Sequence, residues 1–129
     1  TIAQAIADPQ YGSRAKSWMA QGLCQLKAGK TADAEQSLLR SYELDAGNPV
    51  TGFNLASVMF QRGEVVRAQF YVRRLNNSEY ANAESLWLGI KIERKLGNRE
   101  AVQQLAAQLR KRFVQSRELA AFERGAFDE

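Results

Sequence analysis

The feature that most constrains this chain is a spacing. Gly29, Gly63 and Gly97 stand 34 residues apart, twice over, and each lies between two stretches of helical apolar periodicity. With this glycine at position fifteen of a 34-residue unit, the units run 15–48, 49–82 and 83–116. The same columns then recur. Position eight holds Gly22, Ala56 and Ile90; position twenty holds Ala34, Ala68 and Val102; position twenty-four holds Leu38, Val72 and Ala106; position twenty-seven holds Ser41, Leu75 and Leu109. Small residues at eight and twenty let two antiparallel helices approach closely. The glycine at fifteen ends the first helix, because a left-handed C-cap costs almost nothing without a Cβ. Asp45-Ala46-Gly47-Asn48-Pro49 is the clearest stop-and-restart signal between units. The pattern predicts helices over about 1–8, 15–28, 31–46, 50–62, 65–76, 82–96 and 99–113, plus a short one near 117–124.

The expected fold is therefore all-α. One helix pair cannot bury its apolar face alone, so neighbouring pairs stack into a superhelix with a concave and a convex side. At 129 residues the chain suits a single domain. Within it, 1–14 reads as the end of a truncated upstream repeat, 83–116 as a degenerate repeat and 117–129 as a C-terminal capping helix and tail. The chain contains no histidine and one cysteine, which removes His-based triads, His-ligated metals and Cys clusters from consideration. Its glycines fall one per inter-helix turn rather than in a phosphate-binding loop. No enzyme activity, cofactor or metal is expected. Cys24 lies inside a helical apolar pattern and is expected to be buried.

These columns resemble those of the tetratricopeptide repeat, a 34-residue helix-turn-helix unit whose pairs form a right-handed superhelix. Trp18, Gly22, Gly29, Ala34, Leu38 and Glu43-Leu44-Asp45 carry the resemblance in the first unit, and Asn54-Leu55-Ala56, Gly63 and Ala68 in the second. The third departs: Gly89 and Ala101 each sit one place early, and Ile90 stands at position eight. A one-residue slip of its first helix would align Trp87-Leu88-Gly89 with the pattern but break the spacing to Gly97. In this repeat the first helix of each unit lines the concave groove. The residues expected there include Met19, Leu23 and Leu26 in the first unit, Phe53, Asn54, Ser57 and Phe60 in the second, and Trp87, Lys91 and Arg94 in the third. Apolar and aromatic walls with a basic edge suit a protein or peptide partner. Packing inside the chain is the competing fate of Met19, Leu23 and Leu26.

Two other uses of such a scaffold can be weighed. Co-chaperone versions of the repeat hold a C-terminal carboxylate with lysines, asparagines and arginine. Here Asn54 matches, but Met19, Leu23, Glu84 and Leu88 replace the other groups, so that clamp is not expected. The formal net charge is +4, with basic residues from Arg73-Arg74 to Arg110-Lys111-Arg112. Glu79, Glu84, Glu93 and Glu100 interleave with them, which reads as a solvated helical face rather than a phosphate-binding stripe. No nucleic-acid partner is expected, although a basic nucleic-acid-binding solenoid stays among the alternatives.

The whole chain also resembles the type IV pilus biogenesis family PilF/PilW. The resemblance rests on Asp8-Pro9-Gln10-Tyr11, on Gly22-Leu23-Cys24 followed by Gly29, and on the stretch from Ala83-Glu84-Ser85-Leu86-Trp87-Leu88-Gly89 to Lys95-Leu96-Gly97-Asn98. It continues through Gln108-Leu109-Arg110-Lys111-Arg112-Phe113 and Ser116-Arg117-Glu118, with Val114 where the family usually carries proline. The resemblance implies a lipoprotein on the periplasmic face of the outer membrane, anchored by an N-terminal lipid on a cysteine absent from this stretch. It would act as a pilotin that helps the pilus secretin localise and assemble, or as a pilus-stability factor, with the secretin or another pilus-assembly component as its partner. An adaptor of another envelope complex shares every physical feature and stays open.

Overall fold

A computed structural model describes residues 9–127, with side chains from Gly12 onward; the segment expected at 1–8 lies outside the described residues. Seven helices and no strand are found among the described residues. They are α1 (Pro9–Lys27), α2 (Thr31–Leu44), α3 (Pro49–Gln61), α4 (Val65–Asn76), α5 (Ala83–Lys95), α6 (Arg99–Arg112) and α7 (Arg117–Glu123). The three spaced glycines adopt positive φ: 78° at Gly29, 83° at Gly63 and 78° at Gly97. Each closes its helix with the same pair of backbone bonds. The Gly29 N–H donates to the Leu26 carbonyl at 3.1 Å and the Lys30 N–H reaches back to Gln25 at 2.9 Å. Gly63 with Glu64, and Gly97 with Asn98, repeat that pattern. The spacing thus marks a C-terminal stop that recurs once per unit.

The chain forms two compact units, divided after Val58 within α3. In the first, α1 packs on α2. A Cβ built on Gly22 would stand 2.8 Å from Leu38 Cγ and 3.3 Å from the Ala34 carbonyl oxygen, so only glycine permits this approach. Deeper along the pair, the Ser41 hydroxyl donates to the Ala15 carbonyl at 2.7 Å and lies 3.2 Å from Thr51 Oγ1. α3 starts with proline at its first turn, where a missing N–H costs nothing, and Asn48 Oδ1 accepts the Val50 N–H at 3.0 Å. α1 runs without a break through Gly12 and Ser13, so this helix opens six residues before the first repeat unit.

In the second unit α5 is the central element and packs on α4, α6 and α7. Leu86, Gly89, Ile90 and Glu93 form its buried stripe at i, i+3, i+4 and i+7. Asn82 opens the helix with a capping box: its side chain accepts the Ser85 N–H, and the Ser85 hydroxyl accepts the Asn82 N–H. Columns eight, twenty-four and twenty-seven are buried in every unit, including Ile90, Ala106 and Leu109 of the divergent third. Ile90 and Ala106 share one core cluster, the reverse of the glycine and leucine paired in the first unit. The close approach in the third unit is made one place early, by Gly89, whose Cβ would stand 3.1 Å from Leu105 Cδ1.

Candidate functional site

The ten residues expected on the groove wall do not share one environment. In the first unit, Met19, Leu23, Leu26, Phe53, Asn54 and Ser57 are half-buried. In the second, Phe60 and Lys91 are half-buried, Arg94 is exposed and Trp87 is buried. Phe53 and Phe60 are seven residues apart on α3, two turns along one stripe of that helix. Met19 accepts a 3.4 Å contact from the Asn48 side-chain N–H at its sulfur. Asn54 spends one amide N–H on the Val50 carbonyl of its own helix, at 2.8 Å.

Trp87 requires a correction. It was expected to offer its ring to a partner, and it is 7% exposed, in the core cluster of the second unit. The chain's own C-terminal segment covers it. Phe127 stacks on the indole with centroids 5.7 Å apart and planes at 25°, and Phe122 of α7 meets it edge-on at 6.5 Å. Lys91 Nζ lies 5.5 Å from the Trp87 ring centroid, and burial pushes its ammonium below the usual lysine pKa. Arg94 Cζ lies 4.1 Å from the centre of the Phe127 ring. Trp87, Lys91 and Arg94 are thus brought together, around an occupant the repeat columns could not supply.

Two further expectations change. Cys24 is exposed rather than buried, because it falls about 200° around α1 from Gly22, which faces α2. Glu93 does not belong to a solvated face: its side chain is 2% exposed. Its carboxylate accepts from Gln69 Nε2 at 2.8 Å, Asn98 Nδ2 at 2.8 Å, and Arg73 Nε and Nη2 at 2.6 and 3.1 Å. Burial pushes this carboxyl up, and the donors on Arg73, Asn98 and Gln69 more than reverse it, leaving it below the usual glutamate range.

Val50, at an inward position of the second repeat, is exposed, whereas the other exposed large apolar residues lie where the repeat columns did not point: Val66, Phe70, Tyr80 and Val114. On α4, Ala68, Val72 and Leu75 already fill the core stripe, so Val66 and Phe70, four apart, must face away from it. That was the legible signal for them. A cleft of about 290 Å³ opens between α4, α5 and α6, lined by Val72, Asn76, Gly89, Glu93, Leu105 and their neighbours, and none of the ten expected residues borders it. Among the described residues no His, Cys, Asp and Glu cluster could hold a metal ion, and no helix is long and apolar enough to cross a membrane.

No family model matches the chain. In sequence it is 25% identical over 122 residues to the type IV pilus assembly protein PilF of Pseudomonas aeruginosa, covering 95% of this chain and 48% of that protein. In structure it matches Pseudomonas aeruginosa PilF with a TM-score of 0.79 and 25% identity, over 96% of this chain and 56% of the other. It also matches PilW, a widely conserved type IV pilus biogenesis factor, with a TM-score of 0.75 and 31% identity, over 94% of this chain and 56% of the other. The chain is homologous to PilF, its fold is of the tetratricopeptide type, and it spans about half the length of these relatives.

Proposed function

We propose that this homologue of PilF is a non-catalytic interaction scaffold in type IV pilus biogenesis, acting as a pilotin for assembly and outer-membrane localisation of the pilus secretin. The observation that carries the reading is likeness over nearly the whole chain, in sequence and in fold, to two pilus biogenesis factors. The residue chemistry agrees with it. A helical scaffold with half-buried aromatic groups can hold a polypeptide segment and needs no catalytic constellation. The parent protein sits on the periplasmic face of the outer membrane, held by an N-terminal lipid.

In this reading a secretin segment lies against Phe53 and Phe60 of α3, with Met19, Leu23 and Leu26 as apolar surroundings and Asn54 and Ser57 as polar neighbours. The test is made in cells whose own copy is deleted and replaced by the full-length protein carrying Phe53→Ala and Phe60→Ala. Secretin multimers in the outer membrane should fall at least fivefold at unchanged protein level. Multimers at the wild-type level would remove α3 from the mechanism. Normal multimers together with lost pili would move the role to fibre stability.

A further inference from the structure

Phe127 lies beyond the three repeat units, on the non-helical stretch after α7. Gly125, at φ 73°, turns the chain back, and the Ala126 N–H closes the turn on the Ala121 carbonyl at 2.9 Å. The turn delivers one aromatic ring into a three-sided seat. Trp87 stacks on its face, Phe122 meets it edge-on at 6.1 Å, and the Arg94 guanidinium stands 4.1 Å from its centroid. Every wall of the seat belongs to a helix, Trp87 and Arg94 to α5 and Phe122 to α7. Only the occupant comes from the tail. Arg94 and Lys91 edge the seat with two cations, over the Phe127 and Trp87 rings.

We propose that the Trp87–Phe122–Arg94 seat is a docking site for an aromatic side chain followed by carboxylates on a partner polypeptide, and that Phe127 occupies it in cis. Phe127 shows that a flat ring fits, and the two cations supply the charge that acidic neighbours would match. A flat ring gains from stacking on the indole and from the guanidinium over its face, while adjacent carboxylates gain from the two cations. The walls stand on packed helices, so the seat persists when its occupant leaves. A partner must displace Phe127, which lowers its apparent affinity by the effective concentration of the tethered ring. The inference does not rest on the pilus reading, because the partner is defined by chemistry alone.

The test uses the purified chain in a Trp18→Phe background, so that emission reports Trp87. The probe is a synthetic peptide, Gly-Ala-Phe-Asp-Glu. The Phe127→Ala chain should bind it saturably with a shift in Trp87 emission, at least about fivefold more tightly than the chain that keeps Phe127. Arg94→Ala, or Asn-Gln in place of Asp-Glu in the peptide, should weaken binding at least fivefold, and a peptide with Ala for Phe should not bind. Far-UV circular dichroism checks that each variant is folded. Should Phe127→Ala unfold, the chain that keeps Phe127 serves at higher peptide concentration, with the same dependence on Arg94 and on the peptide's Phe. Absence of binding to every folded chain at about 1 mM peptide would overturn the proposal. So would dimerisation of the chain that keeps Phe127 without peptide competition, which would give the seat to a second copy.

Discussion

Glu93 and Trp87 show how much one residue's surroundings depend on elements far from it in sequence. Glu93 links α5 to α4 through Gln69 and Arg73, and to the following turn through Asn98. A carboxylate held below its ordinary pKa contributes stability that is fully present above the unfolded value, about 4.3. That contribution is lost as pH falls through the lower folded value. The urea midpoint should therefore stay level from neutral pH down to about 5 and drop below it. Glu93→Gln should cost about 2–3 kcal/mol at pH 7 and flatten the acid limb, read by urea titration at several pH values. Parallel acid limbs in the two chains would show that Glu93 carries none of the effect. The burial of Glu93 was legible, since it continues the stripe of Leu86, Gly89 and Ile90; interleaving with arginines masked it. The burial of Trp87 was not legible, because its cover arrives from Phe127 after a turn that belongs to no repeat column.

At the scale of the helix, most of the fold could be read from spacing. The 34-residue glycine period encodes a backbone conformation, and Gly29, Gly63 and Gly97 all adopt it. Boundaries moved by one or two residues where capping decided them, as at Leu44 and Phe113. Size exchange between facing columns was harder to see. Gly22 faces Leu38 in the first unit, whereas Ile90 and Ala106 share the core of the third. In the third unit the glycine that makes the close approach is Gly89, against Leu105, each one place before its column. The exchange can be tested in the first unit. Gly22→Ala gains helix propensity but forces its Cβ against Leu38, so a net loss of about 1–2 kcal/mol is expected. Adding Leu38→Val should recover at least half of that loss, measured by thermal or urea unfolding of the four chains of the cycle. Additive losses would mean that the two columns do not share space.

At the scale of the whole molecule, the likeness to PilF and PilW was legible because the matching motifs are spread over the sequence and because repeat columns are set by local steric rules. The binding face was less legible. Column positions predict which way a side chain leaves its helix, and not what covers it afterwards. Met19, Leu23, Leu26, Phe53 and Phe60 are half-buried, Trp87 is closed over by the tail, and the exposed Val66 and Phe70 lie on α4, the second helix of its repeat. A binding role that uses α3 makes a different prediction from one that uses α4: Phe70→Ala should leave secretin binding within about twofold, as expected for a surface residue outside the interface.

The most direct measurement is a titration of the purified chain with the pilus secretin of its own cell, read by light scattering or calorimetry. The expected result is saturable binding that Phe53→Ala with Phe60→Ala weakens by about 2 kcal/mol or more, roughly 30-fold, with helical content unchanged. Equal binding by the double variant, or no binding by the unsubstituted chain, would contradict the claim that this chain holds a pilus component against α3.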